Sequence, residues 1–357
     1  MAYTTIDDPS VYFQTALWTG NGSTPTITND GNSDMQPDWL WGKNRTGTAD
    51  HHYLIDSSRG TNKYVLSNST SAEITNAAIS SFNSDGFTLT SDVGLNRNSS
   101  TFVGWQWKAN GGTTTTNDAS STGVGNVDSV YQVNSTAKFG IMTYTATGSG
   151  NITVAHGMGS APKFLITKVR DQGFGWFVWH HTLANTHGLG LNSTNASADS
   201  SDALGDTSPS STVFTMGNGG NANNNYQSGD DIICYYFDEV QGYSKFGKYT
   251  GNNNADGPFV YTGFKPAWLL IKNTSSAGNS WVLLDNKRQG FNVENDFLFP
   301  NATDAESVNL SNHGFDFLSN GFKNRGTGQN DDGDTFIYMA FAESPFVSSE
   351  GVPTTAR

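Results

Sequence analysis

The chain repeats one strand motif three times, and this repetition is the strongest constraint on its fold. In each copy a proline and a lysine lie six residues apart around an apolar run, at 37–43 (PDWLWGK), 162–168 (PKFLITK) and 266–272 (PAWLLIK). Each copy opens on an aromatic-rich segment near Phe13, Phe139 or Phe246. Each also closes on one, at 102–107, 232–237 and 336–341. A repeat spacing near a hundred residues indicates tandem domains and not a solenoid.

The composition predicts strands. Only 14% of the 357 residues are charged, while aromatic residues reach 12% and Gly, Ser, Thr and Asn are plentiful. Disordered chains are poor in aromatic residues, so this balance favours a turn-rich all-β protein. Short β-branched and aromatic runs bounded by Gly, Asn, Asp and Ser predict two facing antiparallel sheets. The predicted fold class is therefore all-β, with three tandem antiparallel β-sandwich repeats.

The repeats predict the division of the chain. We expect an N-terminal arm at 1–12, a first repeat at 13–109, a Gly/Thr/Ser-rich linker at 110–138, a second repeat at 139–245 and a third at 246–357. The linker is flexible by composition. The third repeat follows the second without slack, so we expect these two to pack in a fixed orientation and the first to sit more independently.

Net charge and hydropathy limit the classes of partner and the locations expected for this chain. The net charge of −13 repels a phosphate backbone, and no cluster of Lys or Arg offsets it locally, which argues against nucleic acid. The N-terminus lacks the basic start and apolar core of a signal peptide, and no apolar run approaches the roughly 20 residues of a membrane span. We therefore expect synthesis in a cytoplasm and no membrane insertion. The single cysteine, Cys234, is expected to be a buried, inert thiol.

Two of the three copies share a charged pattern. It consists of a lysine, an aspartate 13 residues later and an arginine three further on, namely Lys43, Asp56 and Arg59, then Lys272, Asp285 and Arg288. Counting from Lys168 places His181 and Ala184 at the aspartate and arginine positions of the second copy. A catalytic set would not be expected in duplicate and dismantled in the middle copy. We interpret these residues as structural ion pairs.

Metal and cofactor motifs are weak. The pairs at 51–52 and 180–181 are adjacent histidines, whose side chains leave a strand on opposite faces, which argues against zinc. The loop carrying Asp331, Asp332 and Asp334 has clustered oxygen ligands that could hold calcium, although an exposed hairpin turn is the favoured interpretation. No nucleotide-binding or nucleophile-elbow motif is present, so we expect no cofactor and no enzymatic activity. Paired carboxylates for glycoside cleavage leave no sequence mark and stay a lesser alternative.

Tryptophans beside polar loops suggest a sugar surface. Aromatic rings can stack on the apolar faces of pyranose rings while neighbouring amides bind the hydroxyl groups. The candidate ligand-binding residues are Trp41, Trp105, Trp179 and Trp281. The alternative is that most tryptophans fill the cores.

The motifs together resemble an uncharacterised repeat domain of bacteriophage virion proteins, especially those of marine phages that infect cyanobacteria. The resemblance covers nearly the whole chain and rests on segments 12–17, 37–45, 84–89, 103–108, 156–164, 242–247, 257–264 and 338–343. It implies a structural component of the virion with lectin-like jelly-roll sandwiches, and it supplies no catalytic residues. It also implies other virion proteins as partners.

Two functions follow from this resemblance. The first is a tail-fibre or tail-spike component that attaches to host-surface glycan, where oligomerisation, a trimer by analogy, multiplies several weak sites. The alternative is a capsid or tail decoration protein that stabilises the particle. A hydrolytic spike ranks third.

Overall fold

The computed structural model describes residues 2–46, 49–200, 203–218 and 224–354, and in them the chain is all-β. Its sheets are antiparallel. The helices are short: a 3-10 turn at Pro9–Val11, α1 at Val93–Asn96 and α2 at Ala119–Thr122. The all-β prediction is confirmed.

The first repeat contains strands β1 to β9. In chain order they are Phe13–Thr19, Thr26–Ile27, Trp39–Asn44, His52–Asp56, Lys63–Leu66, Ile74–Thr75, Ile79–Phe82, Phe87–Leu89 and Thr101–Trp107. The next segment and the second repeat contain β10 to β19. These are Thr115–Asn117, Ser129–Asn134, Phe139–Thr147, Ile152–Ala155, Phe164–Val169, Trp176–His180, His187–Gly188, Ala198–Asp199, Val213–Met216 and Ser228–Phe237. The third repeat contains β20 to β26, which are Ser244–Thr250, Phe259–Tyr261, Phe264–Asn273, Val282–Asp285, Phe315–Leu318, Gly321–Asn324 and Thr335–Pro345.

The strand order is the same three times. In each main sheet the closing strand lies between the opening strand and the Pro–Lys strand, and a fourth strand follows: β1-β9-β3-β4, β12-β19-β14-β15 and β20-β26-β22-β23. Each repeat also has a small outer sheet, namely β2-β8-β7, β13-β18 and β21-β25-β24. The threefold repetition read from the Pro–Lys motif is thus a repetition of topology.

The main sheets are buried on both faces. Successive side chains of a strand point to opposite faces, so Trp39 and Trp41 enter one core while Leu40 between them enters another. The inner faces of the three main sheets meet in one central core. There the Trp39 and Tyr235 rings stack 4.4 Å apart, and Phe341 of the third repeat lies 5.6 Å from the ring of Trp107.

Each outer face covers a core of its own, beneath the small outer sheet. The repeats therefore share one core and keep three smaller ones. The first repeat is not independent of the others, because its tryptophans fill the centre of the molecule.

The segment 110–138 is structured, which differs from the linker expected from its composition. It contains β10, α2 and β11, and β11 pairs with β12 from Ser129↔Tyr144 to Asn134↔Phe139. Asp118 caps the first turn of α2, and Gly123 ends it in a left-handed conformation at φ 68°. The polar residues that suggested a linker belong to an edge hairpin of the second repeat, where one face can meet solvent.

The N-terminal arm packs on the third repeat. Thr4 Oγ1 donates to the carbonyl of Gln241 at 2.7 Å, and Tyr3 Oη donates to the carbonyl of Gly263 at 2.8 Å. The side chain of Ile6 enters the central core. The backbone N–H of Ser349 donates to Asp7 Oδ1 at 2.6 Å, so the arm also contacts the segment after β26.

Candidate functional sites at the seams and on the third repeat

The four tryptophans proposed from the sequence as ligand-binding residues lie in the interior. Their exposed fractions are 1% for Trp41, 0% for Trp105, 3% for Trp179 and 1% for Trp281. A ring without an exposed face cannot stack on a dissolved ligand, so the structure places these residues in the packing. Trp179 belongs to the outer core of the second repeat and the other three to the central core.

We call the contact between two main sheets a seam: the first joins repeats 1 and 2, the second joins repeats 2 and 3, and the third joins repeats 3 and 1. The first seam contains a buried ion pair. Asp56 ends β4, and Arg59 Nε in the following turn donates to Asp56 Oδ2 at 2.6 Å. Across the seam, Tyr235 Oη donates to the same oxygen at 2.8 Å and accepts from Arg59 Nη2 at 2.9 Å. Burial raises the pKa of Tyr235 well above its usual value, so this hydroxyl stays neutral.

Glu73 extends this cluster. It accepts from Arg59 of its own repeat at 2.8 Å and from Arg170 of the second repeat at 2.9 Å. Burial opposes ionisation of Glu73, but the hydrogen bonds and charges of Arg170 and Arg59 outweigh it and lower its pKa to about 2. The carboxylate is therefore ionised between two arginines that come from different repeats.

The third seam has the same construction. Arg288 Nε donates to Asp285 Oδ2 at 2.6 Å, and Trp105 Nε1 of the first repeat donates to that oxygen at 2.9 Å. Glu306 then bridges Arg288 and, at 2.8 Å, Arg45 of the first repeat. In both sets the Asp and Arg members are therefore paired in the interior.

The second seam is uncharged at this position. Strand register pairs Phe164 with His180, as it pairs Trp39 with Asp56, so the equivalent residue is His180 and not His181 as counted from the sequence. The β14–β15 loop is one residue shorter, which moves the arginine place from Ala184 to Leu183. His180 Nδ1 accepts from the backbone N–H of Thr182 at 3.1 Å. Burial, aided by the charge of His181, lowers the pKa of His180 to about 3.

The repeated lysines do not pair with these aspartates. Lys43 stands opposite His52 at the far end of the β3–β4 hairpin from Asp56. Its ammonium donates to the backbone carbonyls of Asp50 at 2.8 Å and Thr303 at 3.3 Å. Burial is the largest influence on all three equivalent lysines, Lys43, Lys168 and Lys272, and lowers the pKa of each to about 8.

Metal-binding groups are not assembled in the part of the chain that the structure describes. Among those residues no three His, Cys, Asp or Glu side chains are placed to hold an ion. The calcium candidates lie in the turn before β26, where Asp334 Oδ2 accepts from Asn273 Nδ2 at 2.7 Å and the Asp334 N–H donates to the Asp331 carbonyl at 3.1 Å. Asp331 and Asp334 therefore hold the turn through hydrogen bonds, and Asp332 is exposed.

Two of the exposed aromatic residues that the sequence reasoning missed lie together on the outer sheet of the third repeat, while Tyr226 and Phe291 are exposed elsewhere. Phe259 and Tyr261 in edge strand β21 are 46% and 54% exposed, while Val260 between them is buried. The outward position on the equivalent strand is a threonine in the other repeats, Thr26 in the first and Thr153 in the second. The alternation of aromatic and aliphatic residues in the short run Phe-Val-Tyr was the sequence signal for this surface, but only tryptophans had been considered as ligand-binding candidates.

Polar groups border these rings. We call the surface formed by Tyr3, Asp256, Phe259, Tyr261 and Lys323 the third-repeat platform. Phe259 stands opposite Lys323, whose ammonium lies 2.7 Å from Asp256 Oδ1. Tyr3 Oη and Tyr261 Oη are 3.0 Å apart. The platform thus combines two ring faces with a cation, a carboxylate and two hydroxyls.

A groove of about 350 Å³, lined by both polar and apolar groups, lies at the third seam. Its lining includes Thr15 on β1, Asp30 on the following loop, the turn of Asn286 and Lys287, and Glu343 near the end of β26. Lys287 Nζ spans it to Asp30 Oδ1 at 2.8 Å, and both side chains are exposed. This groove is the second place at which the surface could receive a partner.

Comparison with known proteins gives a family without an assigned function. The model of the domain of unknown function DUF7483 matches residues 8–345, so the chain belongs to that family. No curated protein and no solved structure matches it. None of the helices in the described residues is long and apolar enough to cross a membrane.

Proposed function

We propose that this DUF7483 member is a non-enzymatic structural protein of a bacteriophage virion, a tail-fibre or tail-spike component that attaches the particle to host-surface glycan. The single observation that carries glycan binding is the third-repeat platform. The virion assignment rests on the sequence resemblance described above. The charged groups at the first and third seams are engaged in buried pairs, which favours a structural role for them over catalysis.

The platform suits a saccharide for physical reasons. Residues two apart in a strand lie on one face about 7 Å apart, so Phe259 and Tyr261 offer neighbouring surfaces to successive sugar units. An aromatic ring supplies apolar contact at low cost in side-chain entropy, and Tyr keeps a polar end for hydrogen bonding. Lys323 and Asp256 beside the rings supply a donor and acceptors for hydroxyl groups.

We also propose that each repeat is a lectin-like jelly-roll sandwich, with the main sheet and the small outer sheet as its two layers. The separate core between each pair of layers supports this interpretation. Since Thr26 and Thr153 take the place of Phe259 in the other repeats and Ala155 takes that of Tyr261 in the second, the described part of one chain presents one such platform. Avidity then requires several chains, which agrees with a homo-oligomer, a trimer in our proposal.

A second candidate is a capsid or tail decoration protein that stabilises the particle. The groove at the third seam favours this candidate, because a groove beside an edge strand can receive a segment of another virion protein. The two candidates place different surfaces against the particle: attachment requires the platform to be free, and decoration requires it to be covered.

The test is binding of the full chain to a glycan array, followed by titration of the best ligand with two double variants. We expect Phe259→Ala/Tyr261→Ala to weaken binding at least tenfold, which corresponds to about 1.4 kcal/mol. The matched control Thr26→Ala/Thr153→Ala changes the equivalent strands and should bind as the unmodified chain does. Absence of any glycan ligand, or equal loss in both double variants, contradicts attachment through the platform. A cryo-EM map of the particle then distinguishes a free platform from a covered one.

A further inference from the structure

The first repeat has an open sheet edge where the second repeat has a covered one. Strand β1 is the terminal strand of its main sheet, whereas β12 is covered by β11 and β10. The N–H of Gly20 donates to Ser100 and the N–H of Lys108 to Tyr12, so the even-numbered residues of β1 face β9. The backbone groups of Thr15 and Leu17 therefore point to the open side. An exposed edge of this kind is a template for another strand.

The second repeat shows how such an edge is completed. Residue Ile141 of β12 occupies the place of Thr15 and is paired with Gln132 of β11. The Gln132 side-chain amide donates to Ser57 Oγ at 2.8 Å and Ser58 Oγ at 2.7 Å, across the first seam. Its Oε1 accepts from the backbone N–H of Gly112 at 3.2 Å. One buried glutamine on an added strand thus joins two repeats.

The groove at the third seam is the equivalent of the volume that Gln132 fills. Asn286 and Lys287 follow Asp285 as Ser57 and Ser58 follow Asp56, and both turns form the same backbone bond, Asn286 N–H to Ala267 and Ser57 N–H to Asp38. Thr15 is only 5% exposed, and its Oγ1 makes no hydrogen bond within the described residues. A buried hydroxyl without a partner is costly, so this atom indicates where a polar group of a ligand would lie.

The remaining edge is closed differently. At β20 of the third repeat, the N–H of Phe246 donates to Glu239 Oε1 at 2.8 Å and its carbonyl faces His181 Nε2 at 3.0 Å. These side chains satisfy the backbone at the place that Thr15 occupies in β1, since Phe246 pairs with Met339 as Thr15 pairs with Trp105. Of the three opening strands, β1 alone pairs a groove with an uncovered edge.

We propose that β1 is completed by an extended segment of another protein, which adds as an antiparallel strand in the register that β11 has on β12. A side-chain amide, from Gln or Asn, enters the groove opposite Thr15 and bonds to the turn of Asn286 and Lys287. Within this chain the strand that serves as the template, β11, is already paired with β12, and Thr4 and Asp7 of the arm are engaged with Gln241 and Ser349. The occupant in this proposal is therefore a separate protein. The proposal is independent of glycan binding.

The probe is a fluorescent peptide with the sequence of residues 127–136, VDSVYQVNST. Its anisotropy is titrated with the full chain. We expect saturable binding in the micromolar to submillimolar range, at least fivefold weaker when alanine replaces the glutamine of the peptide.

In the protein, Leu17→Pro removes an outward N–H without removing a bond to β9, and should weaken binding at least tenfold. Leu17→Lys places a charge at the open edge and serves as a second variant if Leu17→Pro fails to fold. Lys248→Pro, at the equivalent position of β20, is the matched control and should bind normally.

No saturation at millimolar peptide, or binding unaffected by both Leu17 variants, overturns the proposal. Sedimentation of the unmodified chain tests the other occupant. A dimer that Leu17→Lys converts to a monomer would assign the edge to a second copy and contradict a separate partner. Glycan binding, measured on the same Leu17 variants, should be unchanged, so failure here is distinguishable from failure of the proposed function.

Discussion

The first and second seams have the same strand arrangement, but a buried ion pair lies at the first and neutral side chains lie at the second. At the first seam a buried aspartate is paired with Arg59 and receives a hydrogen bond from Tyr235 of the next repeat. At the second seam the equivalent residue is His180, Leu183 takes the arginine place, and Met339 stands where Tyr235 stands. The third seam follows the first.

The difference teaches that the fold needs a group that caps the turn and fills the seam, and that this group need not be charged. Asp56 accepts the Arg59 N–H and His180 Nδ1 accepts the Thr182 N–H, so both close the turn after the fourth strand. Desolvation of a buried ion pair offsets much of its attraction, so an uncharged replacement of similar volume can be equally stable. Removing one ion of a pair leaves the other buried without a counter-ion and is therefore destabilising.

The largest expected effect comes from breaking an ionic seam. Arg59→Met leaves the Asp56 carboxylate buried with neutral donors alone, the Tyr235 hydroxyl and the backbone N–H of residue 59, and should lower the free energy of unfolding by about 3–5 kcal/mol. Arg288→Met should cost a similar amount, because Asp285 is left with Trp105 and two backbone N–H groups and no cation. Urea unfolding of the three proteins gives the comparison. Costs below about 1 kcal/mol would show that these pairs behave as surface salt bridges do.

A graft sharpens this test. The double variant Asp56→His/Arg59→Leu copies the second seam into the first and removes both charges together. We expect it to recover at least half of the stability lost in Arg59→Met. A double variant less stable than the single one would mean that the neutral solution depends on the surroundings of His180 and cannot be transferred.

His180 should make the second seam sensitive to acid. The pKa of His180 in the folded chain, about 3, lies below the value near 6.5 of an unfolded histidine, so the unfolded chain binds more protons between these values. The stability from this residue is complete above pH 6.5 and is lost as the pH falls through that window, by about 2 kcal/mol at pH 5. Glu73 at the first seam has a pKa of about 2, and its contribution is lost only below its unfolded value near 4.5.

Urea unfolding at pH 7 and pH 5 measures this difference. His180→Asn keeps a side-chain acceptor for the Thr182 N–H and has no titrating ring, so it should lose about 2 kcal/mol less than the unmodified chain over that interval. Burial also lowers the pKa of His156, to about 4, and that of His52 well below its usual value, and these two residues contribute equally to both proteins. Equal losses in the two proteins would refute a titration of the second seam.

The sequence predicted the repeated strand motif, but it did not predict that the three repeats share a central core. The Pro–Lys spacing identified β3, β14 and β22, because strands buried on both faces read as near-continuous apolar runs. The same property conceals which core each face enters. Trp39 and Leu40 are both apolar, and only the assembled sheets show that one belongs to the common core and the other to the first repeat alone.

The candidate sites were harder to predict for a related reason. Tryptophan was expected at a ligand surface, but rings such as Trp105 are large enough to fill the space where three sheets meet. The position of Phe259 outside and Val260 inside depends on which face of the outer sheet covers the core, and that is set by the packing of the sheets. The one-residue difference that places His180 at the seam likewise becomes visible only through strand register.

The smallest expected effect is the difference in stability cost between replacing Lys168 and replacing Lys272. Lys168 Nζ donates to the carbonyls of Val169 and Gln172 and, across the first seam, to Thr70 at 3.3 Å, whereas Lys272 Nζ donates to Asn273 at 2.7 Å within its own strand. Methionine preserves the length and apolar body of lysine, so Lys168→Met should cost about 1–2 kcal/mol through unsatisfied carbonyls, and Lys272→Met less than about 1 kcal/mol. Urea unfolding at pH 7 measures both. The reverse order would break the comparison, because it would mean that the second seam depends on its buried charge as the first does.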